Sequence, residues 1–551
     1  MPVINFNYHD LCQLLGEEVP RQVLIERIPM MGADMHDMEG DEDEMSVEFF
    51  PDRPDLFSVE GLARSLRAFL GLEMGMHEYK TKETDIIVEV DESVLDVRPY
   101  IVCAAVFDVD IDDRFIRSLM EVQEKLHTTI GRKRAKVAIG VHDLDKVTPP
   151  FRYLGARPKG IRFVPLGKEE EWDLAEILEN HEKGQDFSSL LMGKERYPII
   201  LDSKGEVLSF PPIINGRLTT VTEATKNIFI DVTGTDHKTV QGALNILVTA
   251  LAERGGSIGS VAIRGAYEEL HPDLEPGYWE LSASDCRRLL SPSLKDEDMV
   301  QALWRMGFDA QAHNGTIRVL APSTRLDLLH SVDLMEDVAI GYGFERFGGP
   351  STTGQTVGSL LPATRASERL REVMTGLGYM EVTTLVLSSE KEEFLLSGLP
   401  EDDVVTIKNP ITEDHTCLRR HLMPSLLRIL KRNKHRDLPQ RIFEAGDVLV
   451  SGKRCHHLAG LSIHAKASFT ELKSVVESLL REMDVPYSIR PSDVGCFVPG
   501  RGADIIYDDH VVGFFGELAP QTIVNFGLGY PVAAFELETM DLLGKKGDAI
   551  F

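Results

Sequence analysis

Cysteine is sparse and scattered in this 551-residue chain: Cys12, Cys103, Cys286, Cys417, Cys455 and Cys496 contain no C-x-x-C pair. That spacing argues against a disulfide framework and a Cys-rich zinc site, and it suits reduced thiols in the cytosol. Apolar runs are short. One of the longest, at 246–252, is interrupted by Thr249, far below the ~18 continuous apolar residues of a membrane span. The first positive residue is Arg21, so no basic region precedes an apolar core and no secretory signal is expected. Positive charge is in deficit, 59 Lys and Arg against 88 Asp and Glu, for a net charge of −29. A general nucleic-acid coat needs clustered basic residues. Any nucleic-acid contact must therefore use a local basic patch or a partner subunit. The surplus acid favours solubility, and a cytoplasmic location without membrane contact is the expectation. There is no G-x-S-x-G elbow, no H-E-x-x-H and no kinase signature. GGSIGS at 255–260 lacks the Lys-Ser/Thr of a phosphate loop and reads as a helix terminator.

The composition, 43% hydrophobic and 27% charged, is that of a globular protein. The length predicts about three to five domains at roughly 100–200 residues each. The first module covers 1–82. It opens with a strand at 3–6 and a helix at 9–15 ended by Gly16. An acidic run from Asp34 to Glu44 reads as a solvated loop before it reads as a cation site. PDRPDLFSVEGLARSL then offers Asp55 or Ser58 as a helix cap, with Val59, Leu62, Ala63, Leu66 and Leu70 at helical spacing. The second region, 83–266, alternates strands and turns around a helix at 113–130. It ends in a long helix from an Asp236 cap to Glu253. The third, 267–347, shows two helical patterns at 283–290 and 295–306. A Gly/Ser/Thr/Pro-rich linker at 348–362 precedes the last region, 363–551. The expected fold class is multidomain α+β.

Four groups of residues carry chemistry. Asp333, Glu336 and Asp337 sit at i, i+3 and i+4, so a helix places them on one face, with Asp327 on its N-terminal approach. Four carboxylates without His or Cys suit a hard cation such as magnesium. Acid near a helix start equally complements the macrodipole and needs no metal. Ser209, Asp231 and Thr233, beside Pro211-Pro212, could line one polar pocket, or be ordinary turn and strand-end residues. Cys455, His456, His457 and His464 contain metal-ligand types, but on a strand neighbours point to opposite faces. The basic stretch Arg428, Lys431, Arg432, Lys434, His435 and Arg436 is either a phosphate contact, a solvated helix face or a contact to an acidic partner.

Several strings together resemble one family. They are PDRPDLFSVEGLARSL, AIGVHDLD with PPF, SFPPIIN with IDVTGTD, STRLDLLHSVDLMEDVAIGYG, NPITEDHTCLRRHLMPSLL and RIFEAGDV, in that order along essentially the whole chain. They resemble the beta subunit of archaeal and eukaryotic phenylalanyl-tRNA synthetase. The resemblance implies a subunit of an α2β2 class II enzyme that joins L-phenylalanine to its tRNA, using ATP as substrate and Mg²⁺. It places the magnesium ligands, shared with the alpha subunit, at Asp327, Asp333, Glu336 and Asp337. It makes 83–266 an editing domain that hydrolyses tRNA mischarged with tyrosine, with Ser209, Asp231 and Thr233 in the pocket and Leu201 as an apolar wall. It makes 363–551 a class II synthetase-like sheet, flanked by helices, that has lost its chemistry. No arginine follows Arg501, where the class needs one for ATP phosphates, and Phe443 and Glu444 are expected in a neutral strand setting. The class I signatures HIGH and KMSKS are missing. The competing expectations are a non-catalytic tRNA-binding and assembly scaffold with an inactive pocket, and a free-standing deacylase.

Overall fold

Capping residues and alternation set most elements where the sequence places them. The computed structural model describes residues 2–36, 43–348 and 357–539. The chain divides into two compact units, Met1–Ser351 and Thr352–Phe551. Part of the acidic run (37–42) and most of the linker (349–356) lie outside the described residues.

The first unit opens with three antiparallel strands, Val3–Asn7, Ala33–His36 and Glu44–Phe49, the last one central. Asp34 and Glu44, expected in a loop, belong to these strands. Helix Val59–Leu70 is capped by Ser58, whose Oγ accepts from Gly61 N at 3.1 Å. Asp55 is instead a buried partner of Arg53, 2.8 Å away.

Two sheets follow. One has five strands, with Ile228–Gly234 between Tyr100–Phe107 and Val137–Asp143. The other has seven, running from Ile214–Asn215 at one edge to Glu269–His271 at the other. Every residue of Ile228–Gly234 is buried, and its period-2 alternation splits its side chains between two cores. Ile228, Ile230 and Val232 pack with the long helix His237–Glu253. Phe229 packs toward the second sheet, its ring 4.5 Å from that of Phe151. Asp231 and Thr233 share the Phe229 face.

The segment 267–347, expected to be helical, also contains three antiparallel strands: Gly277–Ser282, Thr316–Ala321 and Asp309–His313. The strict alternation of burial along Thr316–Ala321 is a two-residue period inside a run read only for helices. Helix Ser331–Tyr342 packs on helix Asp296–Arg305. A Cβ at Gly341 would lie 2.2 Å from the Ala302 carbonyl oxygen, so only glycine permits this approach.

The second unit is built on a seven-stranded sheet. Its long strands Gln440–Val450, Lys453–Ile463, Val532–Glu538, His510–Leu518 and Phe497–Tyr507 are antiparallel. Leu370, Met374, Leu472, Val476 and Leu480 of helices Pro362–Gly376 and Phe469–Glu482 belong to one of its cores. Leu426, Leu427 and Leu430 of helix Met423–Arg432 belong to another.

Candidate functional site

Gly140 lies opposite Asp231 in the strand register. This is the residue that makes a polar site possible inside the sheet. A Cβ at position 140 would be 2.0 Å from Asp231 Oδ2 and 2.7 Å from His142 Nε2. With no side chain there, His142 Nε2 approaches Asp231 Oδ2 to 2.6 Å, and Ser209 Oγ donates to the same oxygen at 3.5 Å. Thr219 Oγ1 lies 2.8 Å from His142 Nδ1 and anchors the far side of the ring. All four residues are at most 2% exposed.

Ser209, Asp231 and Thr219 open onto a cavity of about 420 Å³. The size is that of a small-molecule site. Its walls are mostly apolar, with Leu119, Ile139, Val141, Phe210 and Ile213 among them. Glu124, His127 and Arg134 also line it. His127 Nε2 accepts from Ile139 N at 2.8 Å, and burial lowers the imidazole's pKa. The hydrogen bond to His127, aided by Arg134, pulls the Glu124 carboxyl down to about 2.

Thr233 and Leu201 do not line this cavity. The Thr233 hydroxyl accepts from Arg98 Nε at 2.9 Å, and the Thr233 carbonyl accepts from Arg98 Nη2 at 2.7 Å. Leu201 shares a strand face with Ile199 and packs in a separate small core with Leu174 and Ile177. His142 and Thr219 were missed. A histidine two residues after glycine, at the end of the apolar run AIGV, was the available signal.

The four acidic candidates do not form a ligand set as they stand. Arg325 binds both Asp327 Oδ2 (2.6 Å) and Asp337 Oδ2 (2.7 Å). Asp333 Oδ2 accepts from Leu329 N and His330 N, each at 2.7 Å, ahead of the helix. Glu336 remains exposed. Partial burial and the neighbouring charges of Asp337, Asp52, Asp333 and Asp327 raise its pKa. The oxygen chemistry suits magnesium, but Arg325 already neutralises two of the four donors.

One expectation in the second unit is corrected. Glu444 does not sit in a neutral setting: Arg419 Nη1 lies 2.9 Å from its Oε1, and both side chains are nearly inaccessible. Cys455, His456, His457 and His464 do not converge, as alternation along a strand implies. His456 meets Thr539 at 2.7 Å, His457 meets Glu536 at 2.7 Å and His464 meets Glu471 at 2.8 Å. In the basic stretch, Arg428 pairs with Glu392 at 3.2 Å. Lys431, Arg432, Lys434, His435 and Arg436 are exposed at and beyond the end of helix Met423–Arg432.

Comparison with known proteins agrees along the chain. The family model of the phenylalanyl tRNA synthetase beta chain CLM domain matches residues 350–539, the tRNA synthetase B5 domain 279–344 and the B3/4 domain 110–250. The phenylalanine–tRNA ligase beta subunit of Methanosarcina barkeri is 46% identical over 550 residues, 99% of this chain and 100% of the relative. That of Archaeoglobus fulgidus is 44% identical over 542 residues, 98% of each. The crystal structure of an N-terminal fragment of the phenylalanyl-tRNA synthetase beta subunit from Pyrococcus horikoshii superposes with a TM-score of 0.59 at 38% identity. The match covers 62% of this chain and 99% of the fragment. The domain matches and the relatives covered over their full length lead to one assignment: the chain belongs to the phenylalanine–tRNA ligase beta-subunit family.

Proposed function

We propose that this chain pairs with an alpha subunit to support ATP-dependent attachment of L-phenylalanine to its tRNA, releasing AMP and diphosphate, and that the cavity beside Asp231 hydrolyses tRNA mischarged with tyrosine. The observation that carries the editing reading is a buried carboxylate and hydroxyl, Asp231 and Ser209, opening onto an otherwise largely apolar cavity of about 420 Å³. A pocket shaped for phenylalanine rejects an added hydroxyl by only about 10²-fold. A second site that hydrogen-bonds the phenol selects in the opposite sense. Tyrosine gives Asp231 a donor. Phenylalanine leaves the carboxylate dry and short of one, a penalty of about 10⁴-fold in comparable sites.

Water is the nucleophile in this reading. His127 spends its Nε2 lone pair on Ile139 N, and Glu124 is held by His127 and Arg134. That leaves the ribose hydroxyl beside the ester to relay the proton. The aminoacylation centre belongs to the alpha subunit. The second unit is a class II synthetase-like domain without chemistry: Arg419, whose side chain is 2% exposed, is tied to Glu444. Magnesium at the Asp327–Asp337 segment requires ligands beyond this chain, because Arg325 occupies two of its carboxylates.

A second reading, a scaffold with an inactive pocket, draws on Asp231 being already engaged by His142. The test is hydrolysis of Tyr-charged tRNA by the αβ complex. Rapid hydrolysis by wild type, lost in Asp231→Asn with Phe charging intact, supports editing. No hydrolysis by wild type leaves the scaffold.

A further inference from the structure

A second polar cluster lies elsewhere in the first unit, at the wall of a larger cavity of about 870 Å³. Strand Glu269–His271 forms the edge of the seven-stranded sheet, and residues two apart on a strand share a face. Glu269 and His271 therefore point the same way. His237, the first residue of helix His237–Glu253 after its Asp236 cap, completes the group. Among the described residues, these three are the group of His, Cys, Asp and Glu side chains whose ligand atoms all lie within 4.8 Å of one another.

We propose that His237, Glu269 and His271 bind a divalent transition-metal ion of the zinc class, with one coordination position open to the cavity. Two imidazoles and one carboxylate are a recurrent ligand set for such ions, and imidazole selects them over magnesium. The spacing is close to what is needed. His237 Nε2 and His271 Nε2 lie 3.0 and 2.7 Å from Glu269 Oε2, and all three ligand atoms lie within 4.8 Å of one another. Ligand bonds of about 2.0 Å around a tetrahedral ion put donor atoms roughly 3.3 Å apart, so the two contacts to Glu269 need open only slightly to admit an ion.

Two details distinguish this cluster from a plain hydrogen-bonded clasp between helix and strand. Both imidazoles converge on the same carboxylate oxygen, although a carboxylate has two. The rings diverge around that point, with centroids 6.3 Å apart and planes at 59°, as ligands do around a centre. His271 is also 3% exposed, and its Nδ1 has no hydrogen-bond partner. One nitrogen of a buried ring is thus unsatisfied while the other shares a crowded acceptor. An ion would take a lone pair from each side chain and relieve the crowding on Oε2. A fourth ligand, water or a group on a bound molecule, would complete the shell from the cavity side.

The site is separate from the carboxylates near Arg325 in donor type. It is separate from the Asp231 cavity in its lining, which shares no residue with that of the larger cavity. Its test is therefore independent of both charging and hydrolysis.

The αβ complex is stripped with chelator and titrated with Co²⁺ in excess Mg²⁺, which saturates oxygen-only sites. The expected result is uptake of one equivalent per beta chain with visible d–d bands that Zn²⁺ abolishes by competition. His237→Ala, at a half-exposed position, and Glu269→Gln, of the same shape, are each expected to weaken that binding well beyond about tenfold. Tenfold is the lower end for loss of an outer-shell partner alone. No uptake by wild type, or equal uptake by both variants with unchanged thermal melting, would overturn the proposal.

Discussion

Asp231 can be buried and still polar because its cross-strand neighbour is Gly140. Gly140→Ala would drive a methyl into the Asp231–His142 bond. The expected outcome is loss of Tyr-tRNA hydrolysis together with a destabilisation of about 1–3 kcal/mol, read by urea unfolding. Thr233 separates from Asp231 in this respect. Its hydroxyl serves Arg98, so Thr233→Val should cost about 1–3 kcal/mol by leaving a buried donor without its acceptor. Hydrolysis by the folded variant should stay within a few-fold of wild type, measured in the same deacylation assay. The sequence showed that Ser209 and Asp231 were polar residues in apolar strands. It could not show that Asp231 and Thr233, two apart on one face, meet different partners. Arg98 comes from 135 positions away, and no local pattern announces such a pairing.

Among the elements, helix ends and buried ion pairs decide behaviour. Helices with strong caps were legible, as at Ser58 and Asp236. The acidic helix Ser331–Tyr342 was legible as an element but not as a site, because Arg325 lies outside the acidic pattern and claims two of its members. Burial raises the Asp337 pKa despite Arg325. Removing that arginine would leave buried charge uncompensated. Arg325→Met should destabilise the first unit by about 3–5 kcal/mol, measured by denaturant unfolding.

The start of helix Met423–Arg432 rests on another buried carboxylate. Glu536 accepts from Leu422 N at 3.1 Å and Met423 N at 3.0 Å, and it meets His421 and His457. Burial opposes its ionisation, yet the charge of His421 at 3.3 Å, with the hydrogen bond and charge of His457, holds its pKa below the ordinary 4.5. Its contribution is therefore present above pH 4.5 and fades as pH falls toward the lowered value. Burial opposes the charged form of His421 too, but Glu536 raises its pKa above 6.5. That contribution is full below pH 6.5 and fades as pH rises through the raised value. Thermal melting across pH should thus fall off on both sides. Glu536→Gln should flatten both limbs and lower stability by about 3 kcal/mol.

The whole molecule carries a net charge of −29 yet belongs to a family whose name includes tRNA. Such a chain can hold a polyanion only through local patches. The exposed Lys431, Arg432 and Lys434 form one beyond the core of the second unit. Replacing all three with Gln should reduce the log–log salt dependence of tRNA binding by the αβ complex by roughly 2–3, near 0.9 per lost phosphate contact. An unchanged slope would make them a solvated helix end. At this scale the sequence was most informative, because the order of its strings along the chain identifies the family even though no single string does. The three-stranded sheet within 267–347 was obscured because helix signals dominate the same segment.

The editing reading stands on Asp231 sensing a phenol. The measurement is the ratio of hydrolysis rates for Tyr-tRNA and Phe-tRNA by the αβ complex, in wild type and Asp231→Asn. Wild type should prefer Tyr-tRNA by about 10⁴-fold, and the variant should lose at least about 10²-fold of that preference. An equal preference in both proteins would contradict the assignment of Asp231 as the residue that reads the hydroxyl.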